Sequence, residues 1–392
     1  LKKKEDTLRF KEKFCLFSKK RKEGKLIWFH GASVGEIISI IPLIRFYEKN
    51  KSINQILITS STISSSKIIK NFNFKKTVHQ FYPIDHFYFT NKFLNYWRPN
   101  LAIFIESEIW PSMFQNLKKN NIKLLLLNAR LTKKTFKRWM KLKSVSKKIF
   151  SKISLAYPQN QETRNFIKKI SNTKIKILGN LKFIDDNTKN DENSHKKLIS
   201  YFKNKNIWVA SSTHEYEEMF CVKAHIELKK KYKNLITIII PRHIHRSNKI
   251  ISEIKKLNLN VIRHSSNTKS LKKVDIYMVD TFGETKKFHE ISSSVFFGGS
   301  IIDRGGQNPL EAARYGARIL HGQNVDNFKD IYKLLETLKI SKKVNTPKKL
   351  ASMIVFKKNK NIGVKIKNIG EKILKKTIKE LNYQIKNEFK KT

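Results

Sequence analysis

The sequence is short of acidic residues and of cysteines, and both shortages limit the possible classes of protein. Against 82 lysines and arginines there are 31 aspartates and glutamates, so the formal net charge is +51. A chain this basic is expected to bind an anionic partner, either nucleic acid or a membrane surface. The alternative is that the excess of lysine is a general bias of the composition, without a functional cause. The two cysteines, Cys15 and Cys221, are far apart. This spacing excludes a disulfide framework and a CxxC metal motif, and it fits a reducing compartment.

Several familiar signatures are also missing from the sequence. No stretch reaches the roughly 18 uninterrupted apolar residues of a membrane span, since the best candidate, Leu26 to Ile44, is interrupted by polar residues and glycines. There is no signal peptide, and the chain begins with leucine. The P-loop, the GxSxG elbow, HExxH and the dinucleotide fingerprint are absent as well. We therefore predict no metal site and no cofactor.

What the sequence does contain is a repeated alternation of short β-branched runs with longer helical stretches. This alternation predicts βαβ units and parallel sheets. The predicted strands of the first half are 26–29, 55–60, 101–106, 123–128, 153–158 and 174–178. Those of the second half are 207–212, 235–241, 259–264, 274–280, 294–300 and 317–322.

A polar segment without apolar periodicity, Asp185 to Lys197, separates the two halves. It predicts an N-terminal domain over 1–184, a linker over 185–200 and a C-terminal domain over 201–392. The predicted fold class is α/β, with two doubly wound, Rossmann-like domains facing across a cleft. Because such sheets bind ligands at the carboxyl ends of their strands, the residues that follow each strand are the candidates for function.

The second half has three such loops. A helix behind a glycine-rich loop is predicted to start with Asn308 as its N-cap, Pro309 as its first residue and Glu311 in its first turn. This arrangement indicates either a nucleotide site or only a well-capped helix. "PRHIHR" places Arg242 and His243 at a strand end, as a phosphate contact or as a basic surface turn. "DTFGE", with Gly283 and Glu284, is a weaker signal that also fits an ordinary turn.

The first half has three loops with candidate residues. In "HGASVGE", Ser33 and Glu36 have the spacing of a helix capping box. In "ESEIWP", strand alternation predicts that Glu106 and Glu108 share one face, where they serve chemistry or pair with a cation such as Arg130. In "GNLKF", Lys182 either faces the cleft or is one more solvated lysine.

Taken together, these loops resemble one family, the 3-deoxy-D-manno-octulosonic acid (Kdo) transferases that modify lipid A. The motifs that carry the resemblance run from about Ile27 to about Leu335: "HGASVGE", "TSSTISS", "ESEIWPS", "NARLTKK", "GNLKF", "ASSTHEYEE", "PRHIHR", "DTFGET", "FFGGSIIDRGGQNPLEAA" and "NFKDI". The resemblance implies the GT-B architecture of glycosyltransferase family 30. It also implies transfer of Kdo from CMP-Kdo to the 6′-hydroxyl of the lipid A precursor lipid IVA, with inversion and without a metal.

The resemblance assigns roles to the loop residues. Glu36 is implied as the general base, with Glu106 and Lys182 assisting at the transition state. The implied CMP contacts are Arg242, His243, Gly283, Glu284, Thr285, Asn308, Pro309, Leu310 and Glu311. Because Glu36 lies at a helix N-terminus, we expect its carboxylate to be kept ionised, which would also make it a weaker base.

The expected partners are CMP-Kdo, lipid IVA and the anionic cytoplasmic face of the bacterial inner membrane, with no specific nucleic acid. The family usually begins with an apolar anchor, so "LKKKED" predicts peripheral binding or a start placed after the anchor. The alternatives are another GT-B enzyme, such as a different sugar transferase or a sugar-nucleotide 2-epimerase, and a nucleic-acid-binding protein. The first would release UDP, and the second would bind duplexes in a salt-dependent way.

Overall fold

The computed structural model describes residues 6–185, 192–266 and 270–390. The chain divides into two compact units, residues 1–187 with 369–392 and residues 188–368. The predicted linker differs from the structure, because Glu192–Tyr201 is a helix, while residues 186–191 lie outside the described residues. Within the described residues, no helix is long and apolar enough to span a bilayer.

The described part of the first unit has a six-stranded parallel sheet in the order β3-β2-β1-β4-β5-β6. Its strands are β1 Leu26–His30, β2 Gln55–Ser60, β3 Thr77–Phe81, β4 Leu101–Ile105, β5 Lys123–Ala129 and β6 Leu155–Pro158. Its helices are α1 Val34–Glu48, α2 Ile63–Lys70, α3 Phe87–Trp97, α4 Pro111–Lys119, α5 Lys133–Lys141, α6 Lys143–Phe150 and α7 Gln161–Ile170.

The described part of the second unit has a seven-stranded parallel sheet in the order β13-β12-β11-β7-β8-β10-β9. Its strands are β7 Asn206–Thr213, β8 Leu235–Pro241, β9 Val261–Arg263, β10 Ile276–Met278, β11 Ser294–Phe297, β12 Arg318–His321 and β13 Ser341–Lys343. Its helices are α8 Glu192–Tyr201, α9 Glu217–Lys229, α10 Ser247–Lys255, α11 Thr285–Ile291, α12 Leu310–Arg314, α13 Lys329–Thr337 and α14 Pro347–Met353, and the last helix of the chain is α15 Lys360–Phe389.

Strand β1 shows that the parallel sheet of the first unit is covered on both faces. All five of its residues are buried. Leu26 and Trp28 belong to one apolar cluster, and Ile27 and Phe29 belong to a second. Successive side chains of a strand point to opposite faces, so both faces of the sheet carry core. The second cluster includes the buried isoleucines of α1, so that helix is part of the core.

The strand predictions were wrong in three places. Two strands were missed, β3 with the sequence TVHQF and β13 with SKK. Both are edge strands with several polar residues, so they lack the apolar run that marks a central strand. The predicted strand 174–178 is not formed, since among described residues it makes only an isolated bridge between Ile175 and Ala156.

The C-terminal boundary also differs from the predicted domain over 201–392. From residue 369 onward, helix α15 belongs to the first unit. There Leu381 and Ile385 pack in the same cluster as Ile27 and Phe29, and the Tyr157 hydroxyl donates to Glu380 at 2.9 Å. Helical periodicity shows that α15 has an apolar face, but it does not show which sheet that face covers.

Shortening Leu381 to alanine should therefore destabilise the first unit. Leu381 is fully buried, so Leu381→Ala is expected to lower the free energy of unfolding by about 2–5 kcal/mol. Tyr383 is 63% exposed on the same helix, and Tyr383→Ala is the matched control with an expected change within about 0.5 kcal/mol. Urea unfolding of the full chain measures both variants. Equal effects of the two substitutions would contradict this packing of α15.

Candidate functional site

Helix α1 follows the loop after β1 and begins with the predicted capping box. The Ser33 hydroxyl accepts the Glu36 backbone N–H at 3.4 Å, and the Glu36 carboxylate reaches back to the Ser33 N–H. The same carboxylate accepts the Ala32 N–H at 2.7 Å. A β-carbon at Gly31 would lie 3.1 Å from that of Glu36, so the small residue leaves room for this arrangement. The capping-box prediction is confirmed.

The ionisation of Glu36 differs from the expectation. Burial, followed by repulsion from Glu108 and Glu106, raises its pKa from 4.5 to about 7, although the Ala32 N–H and Ser33 act in the opposite direction. The expectation that the helix N-terminus keeps Glu36 ionised and weakly basic was wrong. A helix dipole contributes only about 0.3–1 kcal/mol at an exposed site, which burial and two like charges exceed here. Glu36 is therefore a stronger base than an ordinary glutamate.

Glu106 and Lys182 are brought together in the first unit. The Lys182 ammonium lies 2.7 Å from Glu106 Oε1, and both side chains are largely buried. Asn128 supports the pair, since its amide donates to Glu106 at 3.4 Å and its oxygen accepts the Leu181 N–H at 3.0 Å. Glu106 has a φ of 54°, outside the β region. Strand alternation therefore does not extend to Glu106 and Glu108, and that argument for a shared face was wrong.

Glu108 pairs instead with His30, a residue that the sequence reasoning did not select. His30 Nε2 lies 3.1 Å from Glu108 Oε2, and His30 Nδ1 lies 2.9 Å from the Thr59 hydroxyl. Trp28 Nε1–H donates to Thr59 at 2.8 Å, which leaves the Thr59 proton for His30 Nδ1 and the imidazole proton for Glu108. Burial lowers the pKa of His30 despite Glu108, so the ring is neutral. The signal available in the sequence was the position of His30 at the end of an apolar strand.

In the second unit, Arg242 and His243 follow β8 and are exposed. Partial desolvation, followed by the charge of the neighbouring Arg242, lowers the pKa of His243. Two further residues join this group: His214, after β7, has its ring centroid 5.8 Å from that of His243, and Arg304 acts electrostatically on both histidines. The structure thus places two arginines, Arg242 and Arg304, beside two histidines at the ends of β7, β8 and β11. Sequence reasoning missed His214 and Arg304.

The loop from Asn308 to Glu311 begins the short helix α12. The Asn308 side chain accepts the Leu310 N–H at 3.1 Å, and the helix starts at Leu310 with Pro309 in the cap position, one residue later than predicted. Glu311 lies 3.2 Å from His289 Nδ1.

A buried histidine fixes the ionisation of Glu311. His289 Nε2 lies 2.9 Å from the Ser211 hydroxyl, so Nδ1–H can donate to Glu311 while Nε2 accepts from Ser211. Burial by itself would raise the pKa of Glu311, but the His289 hydrogen bond and the charges of Lys286 and Arg314 hold it below its ordinary value. Glu311 is therefore an ionised acceptor held by a buried partner.

The residues Gly283 to Thr285 follow β10. Gly283 has a φ of 90°, and Glu284 makes an ion pair of 2.8 Å with Lys287. Thr285 is the first residue of α11, the helix that carries His289 towards Glu311. The structure links Thr285 to Glu311 through this helix, whereas Arg242 and His243 belong to the His214–Arg304 group. Among the described residues, no group of three or more His, Cys, Asp or Glu side chains could hold a metal ion.

Two parallel Rossmann-like sheets with polar residues at the carboxyl ends of their strands fit the GT-B fold, and the solved structures agree. A UDP-GlcNAc 2-epimerase from Neisseria meningitidis covers 90% of this chain and all of its own length, with a TM-score of 0.53 and 14% identity. A glycosyltransferase from Rickettsia africae covers 95% of this chain and all of its own length, with a TM-score of 0.57 and 13% identity. At these identities the likeness concerns the fold alone, and the predicted α/β class with two Rossmann-like domains of the GT-B type is confirmed.

Sequence comparison narrows this class to one family. A family described as 3-deoxy-D-manno-octulosonic-acid transferase (kdotransferase) matches residues 8–185. A 3-deoxy-D-manno-octulosonic acid transferase from Rickettsia felis is 35% identical over 89% of this chain and 75% of its own length. One from Haemophilus influenzae is 32% identical over 79% and 73%. The chain belongs to the Kdo transferase family of glycosyltransferases, which confirms the resemblance.

Proposed function

We propose that the protein transfers Kdo from CMP-Kdo to the 6′-hydroxyl of lipid IVA, with inversion and without a metal ion, in lipopolysaccharide biosynthesis. The observation that carries this proposal is the state of Glu36. This carboxylate is held by the Ala32 N–H and has a pKa of about 7. A general base works best when its pKa lies near the working pH, so Glu36 suits the removal of a hydroxyl proton at neutral pH.

In the proposed reaction, the acceptor oxygen attacks the anomeric carbon of Kdo while Glu36 takes the hydroxyl proton. The bond from that carbon to the phosphate oxygen breaks, and its electron pair leaves with CMP. Attack opposite the leaving group inverts the anomeric centre. Lys182 offsets negative charge on the Kdo carboxylate or on the departing phosphate, with Glu106 holding the ammonium in place.

The proposed donor site lies in the second unit. We assign the phosphate to Arg242 and His243, supported by His214 and Arg304, because the two arginines concentrate positive charge at these strand ends and the imidazoles can hydrogen-bond to it. We assign the ribose hydroxyls to Glu311, because it is ionised and held by His289. Backbone contacts from Gly283, Glu284, Thr285, Asn308, Pro309 and Leu310 complete the proposed CMP site.

We also propose that the protein acts at the cytoplasmic face of the inner membrane. A formal charge of +51 favours anionic headgroups, at about 1 kcal/mol for each well-placed lysine or arginine. The acceptor, a phosphorylated lipid, resides in that membrane. The first unit then provides the acceptor-side residues, and the second unit provides the CMP-Kdo site.

The deciding experiment measures CMP release from CMP-Kdo by the protein reconstituted with lipid IVA in anionic vesicles, with lipid products analysed by mass. The expected result is CMP release together with a Kdo mass increment, and the size of the increment counts the Kdo residues added. UDP released from a UDP-sugar instead, or conversion of a UDP-sugar to its 2-epimer, would replace this proposal with another GT-B chemistry. A folded, reconstituted protein that turns over neither donor would overturn it.

A further inference from the structure

The carboxylate of Glu217 accepts four backbone N–H groups from two different loops. Glu217 Oε2 accepts Gly299 at 2.6 Å and His214 at 3.0 Å. Glu217 Oε1 accepts Ser300 at 3.0 Å and Ile301 at 2.9 Å. The residue is fully buried at the start of α9, within the "ASSTHEYEE" motif. No step of the proposed reaction uses it.

This arrangement requires a carboxylate. Two oxygens that each accept two N–H groups match the acceptor capacity of an ionised carboxyl, whereas an amide would turn donors towards two of those N–H groups. The turn after β11 is also built closely around the side chain. A β-carbon at Gly298 would lie 2.4 Å from the Ser212 carbonyl oxygen and 2.8 Å from Glu217 Oε2, and Gly299 has a φ of 67°. The close turn around the Glu217 side chain therefore depends on both glycines.

The two loops that Glu217 joins carry His214 and Arg304, which belong to the group proposed to bind the phosphate. One loop holds His214, whose Nε2 atom is buried and has no hydrogen-bond partner among the described residues. The other continues from Ile301 to Arg304, which interacts electrostatically with His214 and His243. An unpaired buried imidazole nitrogen near two arginines, Arg242 and Arg304, fits contact with an anionic ligand.

We infer that Glu217 is a positioning residue of the donor site, an inference that rests on the proposed CMP-Kdo binding by the second unit. It touches no substrate. By holding the backbone of residues 299–301 to that of His214, it sets the distance between the His214 and Arg304 side chains, so that both can meet one phosphate. The motif "ASSTHEYEE" thereby gains a physical role alongside "FFGGS".

The test compares Glu217→Gln with Asp275→Asn in the full chain. Asp275 is also buried and accepts the Asn260 N–H at 2.8 Å. It precedes β10 of the same sheet, so it lies at the amino end of its strand, whereas His214 and Arg242 follow the carboxyl ends of theirs. Calorimetry measures the Kd for CMP, and steady-state assays measure KM for CMP-Kdo and for lipid IVA. Glu217→Gln is expected to raise the Kd for CMP at least about tenfold, the equivalent of about 1.4 kcal/mol. KM for CMP-Kdo should rise with it and KM for lipid IVA should not, whereas Asp275→Asn should change none of them.

Hydrogen exchange provides a readout that does not need a ligand. In Glu217→Gln, the amides of residues 299–301 should exchange faster while those of β8 keep their protection. Glu217→Asp keeps the charge with a shorter side chain and is expected to fall between the parent and Glu217→Gln; it decides the question should the glutamine variant not fold.

Three results would overturn the inference. A parent protein that binds no CMP would remove the donor assignment and this inference with it. A parent that binds CMP, with variants at position 217 that bind it equally well, would remove this inference alone. Equal losses in Asp275→Asn would show that Glu217 acts only through general stability.

Discussion

Replacing Glu36 by glutamine is expected to lower kcat for Kdo transfer by about 10²–10⁴-fold, the usual contribution of a general base. Glutamine has nearly the same shape and can still accept the Ala32 N–H, but it takes up no proton. KM for CMP-Kdo should stay near the parent value, since we place the donor site in the other unit. Steady-state CMP release with lipid IVA measures both constants.

Ser33→Ala separates the two roles of this loop. The substitution removes the hydroxyl that accepts the Glu36 N–H, while leaving the base intact. It is expected to cost about 1 kcal/mol of stability, as the loss of an N-cap does, with kcat close to that of the parent. Turnover that survives in a folded Glu36→Gln protein would reduce Glu36 to a helix cap.

The raised pKa of Glu36 also predicts two pH effects. Activity should rise with pH through about 7, as the carboxylate loses its proton. Because the folded pKa lies above the unfolded value of 4.5, the folded state binds more protons, and this contribution to stability is complete below pH 4.5 and lost as pH rises through about 7. Glu36→Gln should therefore gain stability over the parent between pH 5 and pH 8, by up to about 3 kcal/mol. Urea unfolding at both pH values measures this, and a difference independent of pH would contradict the raised pKa.

Replacing Lys182 by methionine is expected to have the second large effect. It leaves the Glu106 carboxylate, only 4% exposed, without its cation. Breaking a buried pair from one side typically costs about 3–5 kcal/mol. We also expect kcat to fall by about a hundredfold, since a positive group that stabilises developing charge is lost. Thermal or urea unfolding and the CMP-release assay measure the two losses.

Lys176→Met is the matched control for this prediction. Lys176 also pairs with a glutamate of the first unit, Glu380, but its side chain is 55% exposed. Glu380 keeps hydrogen bonds from Tyr157 and Gln384 after the substitution, so the expected cost is at most about 1 kcal/mol with unchanged activity. The double variant Lys182→Met with Glu106→Gln should recover stability but not kcat. Recovery of both would show that the pair is only structural.

Features that depend on neighbours along the chain were predictable. The Ser33–Glu36 capping box spans three residues, so its spacing is visible in the sequence. Central strands such as β1 and β4 are apolar on both faces, which marks a covered parallel sheet. Residues that directly follow such strands, including Arg242, were therefore correctly predicted to lie at the carboxyl ends of the strands. The edge strands β3 and β13 lack this mark and were missed.

Features that depend on distant residues were not predictable. The pKa of Glu36 is raised by burial and by carboxylates about seventy residues away along the chain, which only the folded sheet brings near. The pairing of His30 with Glu108, and the three N–H groups that residues 299–301 donate to Glu217, likewise join parts of the chain that are remote in sequence.

By itself, the sequence determined the parallel α/β units, the family and the loops that hold the candidate residues, because strand periodicity, capping and motif order are local or linear properties. Only the tertiary structure decided the basicity of Glu36, the partner of Lys182 and the unit that helix α15 covers. Burial and Coulomb interactions depend on distance in space, and a linear pattern does not contain that distance.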